Sequence, residues 1–332
     1  MAGELTQFAG GLVSAELAPD LAAAVRFAKA EKSPATRKAY ATDYRLFCQW
    51  CEARALAPMP ASVETVAAYL AHEADNGCRP STIGRRCAAI GYAHKLAGNE
   101  SPTAAESVKA TLRGIRRSLG TAPARKAPAT ADLILAMVSG AGTGPKGLRD
   151  RALALLGFAG AFRRSELVAL DVSDLQETEA GLIVTVRRSK TDQEGRGRTV
   201  AIVRGSIACP AQAVRNWLDA ARIDSGPLFR PVAKGGKVVD DRLSDKQVAR
   251  TIKAFSMRLG LDGAVFGGHS LRSGFLTSAA ARGASIFKMA DQSGHKSMDT
   301  LRGYVRSAEI FQDHAKREQN AVEFVKPDRS RL

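Results

Sequence analysis

One stretch constrains this chain more than any other. It is TAPARKAPAT, residues 121–130, where every apolar period stops. Rich in Pro and Ala, with neither helical nor strand repeat, it reads as a linker between two folding units. Before it, apolar residues recur only at helical spacing. After it, helical patterns are interrupted by two short β-branched runs. A chain of 332 residues has room for two domains of ordinary size. The expected fold class is mainly α with a small antiparallel β-sheet. The expected division is an N-terminal arm over 1–25, a helical domain over 26–120, the linker, and a second domain over 131–332.

The arm holds Glu4, Glu16 and Asp20 and no basic residue before Arg26. It reads as loose, with a short helical stretch. At Ser33 a helix start is well marked, because Ser33 can cap and Pro34 suits the first helical position. In TRKAYATDYRLFCQWC, residues Tyr40, Tyr44, Phe47, Cys48 and Cys51 share one face. Further helices fit SVETVAAYLAHEA, then STIGRRCAAIGYAHKLAG with Ser81 as cap and Gly98 as stop, then AAESVKATLRGIRRSL stopped by Gly120. Beyond the linker, ADLILAMVSG and GLRDRALALLGFAGAFRRSELVALDVSDL read as helical. GLIVTVRRSK and GRTVAIV read as strands joined by a TDQEGRG hairpin turn. Helices resume at NWLDAARI and SDKQVARTIKAFSMRLG and dominate from His269 onward.

Charge narrows the partner. Lys and Arg number 49 against 33 Asp and Glu, a net charge of +16. Such a balance points to a polyanion, most simply nucleic acid. No long apolar run, signal-peptide pattern or lipidation motif points to a membrane. Arg37 and Lys38 on the first well-marked helix, and Arg85, Arg86, Lys109, Arg113, Arg116 and Arg117 on the next two basic ones, are candidate DNA contacts on exposed faces. Five scattered cysteines fit a reducing cytoplasm. Cys48 and Cys51 form a CxxC, but three-residue spacing on a helix puts both on a packing face, and no second ligand pair completes a metal site.

Four small constellations lie in the second half. Arg163 precedes Glu166 by one helical turn. Lys190 stands where the first strand runs into the hairpin. His269 and Arg272 share HSLR. Tyr304 follows His295 by nine residues. Singly, each has a bland explanation: a structural ion pair, a solvated hairpin lysine, core histidines, a packing tyrosine. Together they fit one reaction. Attack on a phosphodiester builds negative charge that two guanidiniums can hold bidentately. A phenol, with pKa ~10 in water, needs an imidazole and a cationic field to lose its proton. A lysine can protonate the leaving 5′ oxygen. The arginines do the electrostatic work often done by Mg²⁺, so no metal and no cofactor is expected.

The set RRSEL, SKT, HSLR, GHKS and LRGY, in that order, resembles the catalytic domain of the tyrosine recombinases, the phage integrase family. The resemblance covers most of residues 30–310, with TRKAYATDYRLFCQWC similar to the first helix of the family's DNA-embracing N-terminal domain. It implies a two-domain, C-shaped DNA clamp: an N-terminal helical bundle and an α+β catalytic domain. It implies that Arg163 and Arg272 bind the scissile phosphate, Lys190 is the general acid, His269 assists proton transfer, His295 hydrogen-bonds the phosphate, and Tyr304 is the nucleophile. Glu166 would orient the first arginine. The SKT context selects Lys190 over Lys237 and Lys246. The implied partners are double-stranded DNA with inverted-repeat sites and a homotetramer assembled through exchange of the C-terminal helix, in the cytoplasm of a bacterium or phage host at the nucleoid. SAEIFQDHAKREQNAVEFVK, with Ile310, Phe311, Val322, Phe324 and Val325, is the segment for that exchange. The other readings are a type IB topoisomerase or telomere resolvase using the same residues, and a non-catalytic DNA-binding protein on the same fold. The latter would be expected to lose Tyr304, Arg163 or Arg272, and all three are present.

Overall fold

The computed structural model describes residues 17–122, 126–189, 192 and 195–309. The chain divides into two compact units, 1–124 and 125–332.

The first unit is helical: α1 (Ala18–Ala30), α2 (Pro34–Glu52), α3 (Val63–Asp75), α4 (Pro80–Leu96) and α5 (Glu106–Leu119). Helix α1 runs across the boundary expected at residues 25 and 26, so arm and bundle are not separated there. Helix α2 begins as the sequence predicts, with the Ser33 hydroxyl accepting from the Thr36 N–H at 3.2 Å and Pro34 in the first turn. Ser62 caps α3 in the same way. Helix α4 differs from expectation. Pro80 takes its first position and extended Arg79 precedes it, which leaves Ser81 in the first turn rather than at the cap. Phe47, Cys51, Val66, Tyr69, Leu70, Ile83, Ile90, Val108 and Ile115 form the core of this unit. Cys51 is fully buried there, and burial pushes its thiol up to about 11. The CxxC therefore packs.

The second unit contains α6 (Ala131–Ser139), α7 (Pro145–Ala159), α8 (Arg164–Ala169), β1 (Leu175–Thr178), β2 (Gly181–Val186), β3 (Arg198–Val203), α9 (Pro210–Ala221), α10 (Asp245–Arg258), α11 (Ser270–Ala281), α12 (Ile286–Ser293) and α13 (Met298–Glu309). The sheet is antiparallel in the order β1-β2-β3, with Leu175 opposite Val184 and Val186 opposite Arg198. The long helical run expected from 147 to 175 is broken. Ala161 adopts a left-handed φ of 48°, α7 stops, and a short α8, a 3₁₀ turn and β1 follow. Ala152 to Leu156 of α7 are all buried, so α7 is surrounded on every side. A large core joins α6, α7, the sheet, α9 and α10. A smaller one, Leu276, Ala280, Met289, Ala290 and Leu301, joins α11, α12 and α13.

The linker is shorter than the apolar pattern implies. The Ala127 N–H donates to the Val265 carbonyl at 2.8 Å and the Ala129 N–H to the Ser270 carbonyl at 2.9 Å. Ala129 is fully buried. The segment passes so close to α11 that a Cβ at Gly274 would stand 1.8 Å from the Ala129 carbonyl oxygen. Residues 126–130 thus belong to the second unit, stitched on by backbone hydrogen bonds that need no apolar period. Among the described residues no helix is long and apolar enough to cross a membrane.

Candidate active site

The site grows from the turn that ends α7. Left-handed Ala161 reverses the chain, Phe162 is buried, and Arg163 follows in extended conformation just before α8. Arg163 is thus not in a helix with Glu166, as its spacing implies, but at its cap. The Glu166 carboxylate, 2% exposed, accepts from the Arg163 backbone N–H at 3.0 Å and from Arg163 Nη1 at 2.5 Å. The other end of α8 is pinned by two more arginines. Arg242 donates to the Val168 and Leu170 carbonyls, Arg187 donates to the Ala169 carbonyl, and both pair with Asp171.

Arg272 lies in the first turn of α11 and is 1% exposed. Its Nη1 donates to the Ala161 carbonyl at 2.8 Å and also to the Ser293 carbonyl, so it braces the Arg163 turn against the end of α12. Its Nη2 stands 3.1 Å from the ring nitrogens of His295. Burial, then the nearby Arg163, brings its pKa down to about 10, and its charge also feels Tyr304. His295 sits in the loop between α12 and α13. Burial first, then Arg272, Arg163, His269 and Arg198, holds its imidazole down to about 4. His269 caps α11 and remains exposed to solvent, yet burial by its surroundings, Arg272 and Arg163 push its pKa below the usual imidazole range. Tyr304 lies on α13, half-buried, against the small core shared with α11 and α12. Lys190 lies outside the described residues. At the foot of its hairpin, the Asp192 carboxylate accepts from the Arg196 and Gly197 N–H groups at 3.1 and 2.8 Å.

Arg163, Glu166, His269, Arg272 and His295 therefore come together, with Tyr304 on the helix packed beside them. One participant is absent from the sequence-derived set. Arg198, the first residue of β3, reaches Glu166 at 3.3 Å and the Gln292 carbonyl at 2.9 Å.

The candidate DNA contacts of the first unit divide. Arg37, Lys38, Lys109, Arg113, Arg116 and Arg117 are exposed, Arg113 while pairing with Glu106. Arg85 is half-exposed and holds the buried Asp43 through two hydrogen bonds of 2.6 and 3.1 Å. Arg86 is not on an exposed face. Its side chain is 14% exposed, paired with Glu73 and bonded to the Tyr69 hydroxyl, so it ties α4 to α3. A carboxylate partner on the neighbouring helix, itself only 14% exposed, draws it inward.

The chain resembles known proteins in sequence and in fold. A phage integrase family model matches residues 129–310. An integrase/recombinase XerD homologue of Selenomonas ruminantium is 39% identical over 293 residues, covering 86% of each chain. In fold, the chain is similar to the XerH site-specific recombinase (TM-score 0.56, 16% identity, 80% of this chain and 72% of that one). It is similar also to lambda integrase (TM-score 0.55, 18% identity, 84% and 91%). On the family match and the identity shared along most of its length, the chain belongs to the phage integrase family, the tyrosine recombinases.

Proposed function

We propose that this chain is a site-specific DNA recombinase in which the Tyr304 phenolate attacks a backbone phosphorus. The P–O5′ bond breaks, a 3′-phosphotyrosyl bond forms, and the 5′ oxygen leaves as a hydroxyl. The covalent bond conserves the phosphodiester free energy, so the 5′ hydroxyl of a partner duplex can reverse the step and join new strands through a Holliday junction. Arg163 and Arg272 hold the non-bridging oxygens. Their cationic field favours the phenolate. His269 assists proton transfer and His295 hydrogen-bonds the phosphate. Lys190, on the strength of its SKT context, protonates the leaving oxygen.

The observation that carries this reading is electrostatic. Guanidiniums of Arg163 and Arg272 are held in one partly buried place with a single buried carboxylate, Glu166, between the first of them and Arg198. Such a surplus of desolvated positive charge has a dianionic transition state as its natural counterpart. Exposed Arg37, Lys38, Arg85, Lys109, Arg113, Arg116 and Arg117 give the first unit a phosphate-contacting surface. Assembly is a homotetramer on two inverted-repeat sites through exchange of the C-terminal segment, whose residues from 310 onward lie outside the described ones. The DNA partner places the protein at a nucleoid.

Tyr304→Phe tests the reading. Binding to DNA should remain near wild type while denaturing gels show no protein–DNA adduct. Adducts persisting in that variant would remove Tyr304 as nucleophile. A wild type that relaxes supercoils yet never exchanges strands would return the topoisomerase reading.

A further inference from the structure

We infer that Arg198 is a positioning residue of this site, clamping Glu166 to the end of α12 so that Arg163 and His295 keep their places relative to the β2–β3 hairpin. The inference rests on the recombinase reading above for its substrate, but its geometry stands alone.

Arg198 shares its face of β3 with buried Val200 and Ile202. Its guanidinium is therefore turned inward at the strand start. Nη2 reaches Glu166 Oε2 at 3.3 Å and Nη1 donates to the Gln292 carbonyl at 2.9 Å. The group lies 5.9 Å from the Phe162 ring centre. It also runs against Gly294, where a Cβ would approach Nε to 2.7 Å. Its side chain is 18% exposed, and Nε finds no acceptor among the described residues.

Three elements meet on this one side chain. Glu166 gives Oε1 to Arg163 and Oε2 to the Arg163 backbone and Arg198. With Arg198 sharing the carboxylate, Arg163 is not its sole counter-ion and keeps donors for a phosphate. Without Arg198, a buried carboxylate would draw Arg163 back onto itself. Gln292 lies three residues before His295, so the same guanidinium steadies the loop that holds the imidazole. Val186 pairs with Arg198 in the sheet, and the hairpin bearing Lys190 begins just beyond that pair.

The test uses the full chain and a nicked duplex carrying the sequence recovered from the wild-type covalent adduct. Arg198→Gln should cleave about 10- to 100-fold more slowly, the scale for losing a supporting contact. Its affinity for the duplex and its melting temperature should stay near wild type. The double variant Glu166→Gln with Arg198→Gln should be no slower than the slower single variant, because both act through one link. Should Arg198→Gln fail to fold, Arg198→Lys carries the test. Its single ammonium reaches Glu166 or the Gln292 carbonyl but not both, so slow cleavage at unchanged melting is expected. Wild-type cleavage in the variant that folds, a rate loss matched by lost affinity, or fully multiplicative effects in the double variant would overturn the inference. A wild type that forms no adduct would instead overturn the functional reading.

Discussion

The Ser293 hydroxyl donates to the Met289 carbonyl at 2.6 Å, so toward His295 it can only accept. His295 Nδ1 therefore holds the proton, Nε2 is left unprotonated, and Arg272 Nη2 stands 3.1 Å from both ring nitrogens. To hydrogen-bond a phosphate as a donor, Nε2 must gain a proton, which the surrounding cations oppose until an anion arrives. The ring proton of His295, followed by NMR, should titrate near pH 4 in the free protein and at higher pH with a bound phosphodiester. Between about pH 6.5 and 4 the unfolded chain takes up a proton that the folded chain refuses, so stability is fully present above that window and falls as pH drops through it. His295→Gln should flatten the melting temperature over the same range. Arg272→Lys should leave the buried Ala161 and Ser293 carbonyls without partners. Cleavage should fall by ~10²–10³, the scale for losing a preorganised transition-state donor, with a lowered melting temperature. The motif residues were legible because their side-chain types have few other reasons to recur in this order. Arg198 was hidden among the arginines of RGRTV, although strand alternation alone put it on the face of Val200 and Ile202. Arg86 was expected on an exposed face because helical spacing cannot see Glu73 on a neighbouring helix.

At the scale of elements, the nucleophile's helix is held by a small core. Leu301 of α13 is fully buried against α11 and α12. Leu301→Ala should cost about 2–5 kcal/mol and lower adduct formation more than DNA binding, since α13 loses its seat while the first unit is untouched. The hairpin gives a second check. Lys190→Ala should slow cleavage, and a substrate with an activated 5′ leaving group should restore the rate if Lys190 is the general acid. Helix starts at Ser33 and Ser62 were readable because capping is local chemistry. Strand β1 was not, because its four residues lie at the sheet edge with no alternation of buried and exposed positions. The break after α7 was also unreadable, since it turns on a left-handed alanine that no propensity favours. Residues 126–130 looked like linker for the same kind of reason, being held by backbone rather than side-chain contacts.

For the whole molecule, the surplus of +16 should appear in the salt dependence of DNA binding. Each phosphate neutralised adds about 0.9 to the slope of log affinity against log salt, so several contacts predict a steep fall. A flat response would contradict a DNA-contacting surface built from the exposed arginines and lysines of the first unit. The two-unit division was legible from one break in periodicity, and the family from five short motifs. The most direct measurement is to trap the protein on DNA under denaturing conditions, digest both, and sequence the peptide that retains nucleotide by mass spectrometry. The account predicts a 3′-phosphonucleotide ester on Tyr304 with a free 5′ hydroxyl on the released strand. Nucleotide on any other residue, or a 5′-phosphate link, would contradict it.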